Sequence, residues 1–214
     1  TNLAYKKWHQ HVSSFGIGSY MNNDFITGAT GKLPQASYFE KLYRGSWNAN
    51  TIISMAIGQG ELLLTPIQMA NITAIIANRG FFYTPHIVKN ISGENSIDSS
   101  FTKKRFCSIE PKYFNPIIEG MHKVISGKNG TGKNGKIPNI EMCGKTGTAQ
   151  NPHGEDHSIF IAFSPIQTPE IAIAVYIENG GWGSTWAVPI ASLMIEKYLT
   201  KTITDSDKEK FILN

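Results

Sequence analysis

Three stretches in the last third of the chain, residues 140–149, 158–164 and 171–178, constrain the fold more than anything before them. Each is short, rich in Ile, Val, Phe and Thr, and bounded by Gly, Pro, Asn or Asp, the pattern of a β-strand. Only the segment from Pro165 to Pro169 separates the last two. That is too short for a crossover, so these strands are expected to pair antiparallel. A closing amphipathic helix is expected over residues 187–199, with Ile190, Leu193, Met194 and Tyr198 turned inward.

The clearest helix start lies upstream. Thr65 suits an N-cap, Pro66 suits the first helical position, and Gln68 completes a T-x-x-Q capping box. The helix is expected to run through Met69, Ile72, Ile75 and Ile76 and to stop at Gly80. It is apolar around most of its circumference, which predicts burial. Further helical patterns cover residues 2–14, 35–42, and a stretch from Asn115-Pro116 with Ile117, Met121, Val124 and Ile125 at helical spacing. Residues 90–108 read as a polar surface excursion, residues 127–136 (GKNGTGKNGK) as a flexible loop, and the last fifteen residues as a frayed polar tail. The expected fold class is therefore α/β of the α+β type, a central antiparallel sheet flanked by helices.

Composition removes several functions. Among 214 residues, 41% are hydrophobic and 17% charged, which fits a globular chain rather than a disordered one. The net charge of +4 is spread along the sequence, and no RNP, zinc-finger or helix-turn-helix signature accompanies it. No nucleic acid partner is expected. Cys107 and Cys143 fit no CxxC spacing, so neither a disulfide framework nor a zinc site is expected, and no other metal or cofactor is implied. No apolar run approaches the roughly 18 residues that cross a bilayer. Thr1 is not a start methionine, so the expectation is a stretch cut from something longer, with any anchor upstream.

The motif that carries chemistry is Lys145-Thr146-Gly147-Thr148 on the first of the three strands. Lys145 places a positive charge near an anionic ligand. Thr146 and Thr148 bring hydroxyl donors, and Gly147 removes a side chain so that a ligand backbone can lie against the strand. Such an edge suits a peptide ending in a carboxylate, held by β-addition. It also suits acyl transfer, where a backbone N–H must meet an oxyanion.

The surrounding residues extend the pattern. Gly144–Gly154 (GKTGTAQNPHG) is followed by Asp156-His157-Ser158-Ile159-Phe160, and Ser54–Glu61 (SMAIGQGE) by Leu64-Thr65-Pro66-Ile67-Gln68-Met69-Ala70. Asn78-Arg79-Gly80, residues 171–175 and Glu178-Asn179-Gly180-Gly181 complete five blocks in order. Together, from about Trp8 to Leu199, they resemble the class B penicillin-binding proteins, nearest the elongation-type penicillin-binding protein 2. The resemblance implies a β-lactamase/transpeptidase-like fold, incomplete in this chain, with residues 1–200 as the C-terminal portion of a transpeptidase domain and 201–214 as a polar tail. It implies a serine acyl-enzyme mechanism acting on D-Ala-D-Ala stem peptides and blocked by β-lactams, with Lys145 polarising the site. Thr146 and Thr148 would hold the ligand carboxylate, the Thr148 N–H would form half of an oxyanion hole, and Gly147 would keep the strand open. A membrane glycan polymerase and other cell-elongation proteins would be partners, on the periplasmic side of the bacterial inner membrane. A D,D-carboxypeptidase, a β-lactamase, or a non-catalytic β-lactam sensor or scaffold would share these residues.

One part is missing. In that family the S-x-x-K nucleophile and the S-x-N motif precede the stretch that begins here, so the residues as given hold no nucleophile and are expected to be inactive alone. Ser100-Phe101-Thr102-Lys103 and Ser46-Trp47-Asn48 match these patterns only in spelling, being in the wrong order along the chain. Gly127–Asn134 approaches a P-loop, but Asn134 stands where the Mg²⁺-binding Ser or Thr belongs and a helix precedes it. His153, Asp156 and His157 read as a turn before the next strand rather than as metal ligands, and Trp182 and Trp186 as packing residues beside a Gly-rich turn.

Overall fold

The computed structural model describes residues 2–25, 27–92 and 97–213. They form two units. The first contains the chain up to Asn71 together with Phe81–Ile109, and the second contains Ile72–Gly80 and the chain from Glu110 onward.

The first unit is built from short helices, α1 (Asn2–Ser13), α2 (Ala36–Leu42) and α3 (Ala49–Ala56), and the beginning of α4 (Pro66–Ala77). A two-residue ribbon, β1 (Phe81–Phe82) with β2 (Arg105–Phe106), and the single-turn helix α5 (Ser99–Thr102) complete it. Its core is aromatic: Tyr5 meets Phe39 and Trp47 edge-on, with ring centroids 5.5 and 5.3 Å apart. The Tyr5 hydroxyl is buried but donates to the carbonyl of Pro34, and Trp47 Nε1 donates to Glu40 Oε1 at 2.8 Å, so both rings have their polar atoms satisfied.

Gln68 organises the loop that precedes α4. Its Oε1 accepts from Thr65 N at 3.0 Å, while Gln68 N donates to Thr65 Oγ1 at 3.3 Å, so the expected capping box forms. Its Nε2 donates to the carbonyls of Gly16, Ser19 and Thr30. One buried amide thus ties a helix start to two separate parts of a long loop, at residues 16–19 and at Thr30, which have almost no regular structure of their own. The helix stop falls one residue earlier than expected. Arg79 (φ +57°) takes the left-handed position, Gly80 N reaches back to Ile75 O and Arg79 N to Ile76 O, a Schellman turn.

In the second unit α6 (Phe114–Ser126) leads into the sheet of β3 (Cys143–Ala149), β4 (His157–Ser164) and β5 (Ile171–Ile177), followed by α7 (Ala187–Thr200) and α8 (Ser206–Leu213). The strand order is β3-β4-β5, antiparallel throughout. The β4–β5 hairpin is the one the short Pro165–Pro169 connection demands. Phe160, Ala162, Ile173 and Val175 form one buried face with Ala187, Val188, Ala191 and Ile195 of α7.

That set differs from the helix face expected for α7. Ala187, Val188, Ala191 and Ile195 face the sheet, whereas Met194 and Tyr198 are half exposed. Small side chains let the helix lie close to the strands, and the larger residues turn outward. On α6 the inward face is Phe114, Ile118, Met121 and Ile125, and Ile117 is exposed. The expected fraying tail is a helix as well: Phe211 of α8 stacks on Trp186 at 5.1 Å, and Lys208 Nζ donates to the buried Ser192 Oγ at 3.2 Å.

Cys143 opens β3 fully buried, its thiol donating to the Ile118 carbonyl at 3.4 Å. Burial pushes this thiol up to about 12, with the Glu141 charge adding to the shift. At pH 8 only about one part in 10⁴ is then thiolate. In a Cys107→Ser background, Cys143 should resist an aromatic disulfide reagent at pH 8 and react fully in denaturant. Fast labelling of the folded protein would contradict this packing.

Candidate functional site

The four motif residues fall on β3 as expected, and β3 is a sheet edge, with β4 as its one neighbour among the described residues. An edge strand leaves alternate N–H and C=O groups facing outward, able to pair with an extended ligand. The register sets Thr146 opposite Phe160, Gly147 opposite Ile159, and Thr148 opposite Ser158. Side chains alternate along a strand, so Thr146 and Thr148 share the face of Phe160, while Lys145 and Gly147 share the other. Lys145 is exposed, and its Nζ donates to the carbonyl of Thr146 at 2.7 Å. The ammonium is therefore at the edge but turned onto its own strand.

Two Gly-rich segments converge on this edge, and sequence reasoning assigned neither a role. The first follows α6. Gly127 N donates to Lys123 O, Gly130 N to Gly127 O, and Gly132 N to Val124 O, so residues 127–132 fold back on the end of the helix rather than forming a flexible loop. A Cβ at Gly130 would overlap the Val124 carbonyl, and one at Gly132 would press on Ile125 and Val124. The result carries Thr131 to β3, where its Oγ1 lies 2.8 Å from Thr146 Oγ1.

The second segment joins β5 to α7. Its anchor is Ser158, a buried hydroxyl that donates to Trp182 O at 3.0 Å and accepts from Ala187 N at 3.2 Å. The anchor presses Gly183 onto the strand pair: a Cβ there would sit 2.5 Å from the carbonyls of both Gly147 and Ile159. Asn134 Nδ2 donates to Ser184 O at 2.6 Å and fastens the two segments to each other. Trp182 is 74% exposed, against the expectation that it packs. The clustered glycines were the signal for this arrangement, since a glycine is required where one backbone lies directly on another.

The lookalike motifs have structural explanations. Asn48 caps α3, accepting from Asn50 N at 2.9 Å, and Ser100 is exposed on the one-turn helix capped by Asp98. Asp156 Oδ1 accepts from Asn151 N and shapes the β3–β4 turn, while His157 Nδ1 accepts from Asn179 N and ties the start of β4 to the segment after β5. No group of three His, Cys, Asp or Glu side chains converges among the described residues. No helix of the described residues is long and apolar enough to cross a membrane. A cavity of about 430 Å³ in the first unit, lined by residues including Tyr5, His9 and Glu40, involves none of the motif residues.

Comparison with known proteins gives a consistent result. The family described as the penicillin binding protein transpeptidase domain matches residues 1–196. The peptidoglycan D,D-transpeptidase MrdA of Haemophilus influenzae is 28% identical, over 97% of this chain and 35% of its own length. Among solved structures, Pseudomonas aeruginosa PBP2 in complex with WCK 5153 superposes with a TM-score of 0.80 and 31% identity, covering 91% of this chain and 42% of that one. PBP2 of Helicobacter pylori, solved in complex with MreC, gives a TM-score of 0.73 and 26% identity, covering 92% of this chain and 38% of that one. The chain spans about a third of the length of the curated relative.

Proposed function

The chain belongs to the penicillin-binding protein transpeptidase domain family, and from that premise we propose that it is part of a peptidoglycan D,D-transpeptidase to which it supplies the Lys-Thr-Gly strand but not the nucleophile. Residues 1–200 are read as the C-terminal portion of the transpeptidase domain. In the reaction, a serine hydroxyl from outside this stretch attacks the carbonyl between the two terminal D-Ala residues of a stem peptide. The C–N bond breaks, the leaving D-Ala amine takes up a proton, and an ester links the peptide to the serine. The amine of a second stem then displaces the serine and forms the cross-link. A β-lactam enters by the same attack and stays as a stable ester.

The observation that carries this reading is the placement of Thr146 and Thr148 on one face of an edge strand. Their hydroxyls would bind the terminal carboxylate, and Gly147 would let the peptide backbone approach. The Thr148 N–H would meet the oxyanion, a donor pre-aimed at charge that grows only in the transition state. Lys145 would raise the local positive potential and polarise the serine site. In its present rotamer it donates to Thr146 O, so the role requires the long side chain to swing away from that carbonyl, which exposed lysines do readily.

Relatives suggest the surroundings. The Helicobacter pylori protein was solved with MreC, which favours a cell-elongation partner of that kind, and a membrane glycan polymerase would supply the strands to be cross-linked. The site of action would be the periplasmic face of the inner membrane, with the anchor in another part of the protein.

The test is fluorescent penicillin on the full-length protein. A stable covalent adduct on a serine outside residues 1–214 is expected. Absence of an adduct, or rapid hydrolytic turnover of the drug, would defeat the transpeptidase reading.

A further inference from the structure

Thr131 is the one side chain outside β3 that hydrogen-bonds a hydroxyl of the Lys-Thr-Gly-Thr motif, among the contacts of the described residues given above. It gets there on a segment whose neighbours Gly132 and Gly135 are buried while Thr131 itself is not. Residues 127–132 are tied to the C-terminal turn of α6 through the bonds to Lys123 O and Val124 O. Gly135 lies against Val188 of α7, and Asn134 holds Ser184. The segment is thus fixed at several points, yet Thr131 between them is exposed and directs its hydroxyl at Thr146, 2.8 Å away.

The direction of that bond matters chemically. A threonine hydroxyl has one proton to donate and two lone pairs to accept with. If Thr146 donates to Thr131, its single proton is used up and only lone pairs face a ligand, which repel a carboxylate. If Thr131 donates to Thr146, the Thr146 proton is free to point at the ligand. The accepted bond also polarises the Thr146 O–H and makes it a better donor. An anion arriving at β3 selects the second arrangement.

We propose that Thr131 is a positioning residue: by donating to Thr146 it frees and aims the Thr146 hydroxyl at the carboxylate of the stem peptide or β-lactam. This rests on the reading of β3 as the carboxylate-binding strand. The effect is specific to anionic ligands, because a neutral ester can accept from neither arrangement with comparable strength.

The experiment uses the full-length protein and measures second-order acylation by a penicillin with a free carboxylate and by its methyl ester. Thr131→Val keeps the shape and removes the donor. It is expected to slow acylation by the acid about five- to tenfold, the scale of one neutral hydrogen bond acting through another, and to leave the ester rate unchanged. Thr131→Ser, which keeps the hydroxyl, should restore the acid rate. The Thr131→Val/Thr146→Val double variant should be no slower than Thr146→Val alone, since Thr131 acts only through Thr146. An unchanged acid rate in Thr131→Val, equal slowing of acid and ester, or additive losses in the double variant would each overturn the proposal. If the unsubstituted protein is not acylated at all, the transpeptidase reading fails and this role with it. Normal acylation with an unaffected Thr131→Val removes only the role of Thr131.

Discussion

Lys145→Ala in the full-length protein is expected to slow acylation by penicillin about 10²–10³-fold, the loss typical of removing one preorganised electrostatic group from an acyl-transfer site. The same substitution should leave stability within about 0.5 kcal/mol of the parent, as for surface positions generally. Lys145 is exposed, and among the described residues its ammonium hydrogen-bonds the carbonyl of its neighbour Thr146, so the fold has little to lose. This split gives the test its power. A large fall in acylation with an unshifted melting curve identifies a group that acts on the reacting atoms. Acylation at the parental rate would remove Lys145 from the chemistry. Lys145→Arg should recover only part of the loss, because a planar fork cannot occupy the place of a compact ammonium.

The second large effect concerns stability alone. Gln68→Leu is expected to destabilise the protein by about 3 kcal/mol, because the buried side chain is the shared partner of four backbone groups that lose it at once. Thr65 N loses its acceptor, and the carbonyls of Gly16, Ser19 and Thr30 lose their shared donor. Leucine fills much of the same volume, so loss of packing is not the main cause. Denaturant melts of the parent and the variant should differ in midpoint with similar slopes. Amide hydrogen exchange should quicken first where Gln68 held the loop, including the Lys32–Leu63 bridge. A loss below about 1 kcal/mol would mean that water replaces the side chain at these carbonyls.

The regular elements were largely legible from the sequence, because their signals are local. Ile171-Ala172-Ile173-Ala174-Val175 spells a strand, and the short link before it leaves one way to pair. The Thr65–Gln68 box is a four-residue pattern and needs no knowledge of the rest of the chain. The face of α7 was legible only in part: Leu193 is buried and Ile190 packs against the core as expected, but hydrophobic size also favours Met194 and Tyr198 as inward residues, while close approach to a sheet favours Ala187 and Ala191. The helix at Ser206–Leu213 was missed for a related reason. Its charged sequence resembles a tail, and only the stacking of Phe211 on Trp186 and the Lys208–Ser192 bond show what holds it.

The candidate site divides in the same way. The placement of Lys145 to Thr148 together on one strand could be read directly, since four adjacent residues carry the pattern. Thr131, Gly183 and Ser158 lie 16, 36 and 11 residues from Gly147 in sequence, and no motif spans that separation. Their roles depend on contacts that exist only once the strands are paired: a hydroxyl at 2.8 Å, a backbone that admits no Cβ, a serine that anchors a turn. Glycine spacing hinted at crowding but could not say against what.

The one-sided pairing of β3 has a practical corollary for anyone engineering this molecule. Grafting an additional hairpin alongside Cys143–Ala149 would widen the sheet and raise thermal tolerance, yet it would fill the lane in which the proposed stem peptide would pair, so robustness and the proposed activity would trade directly.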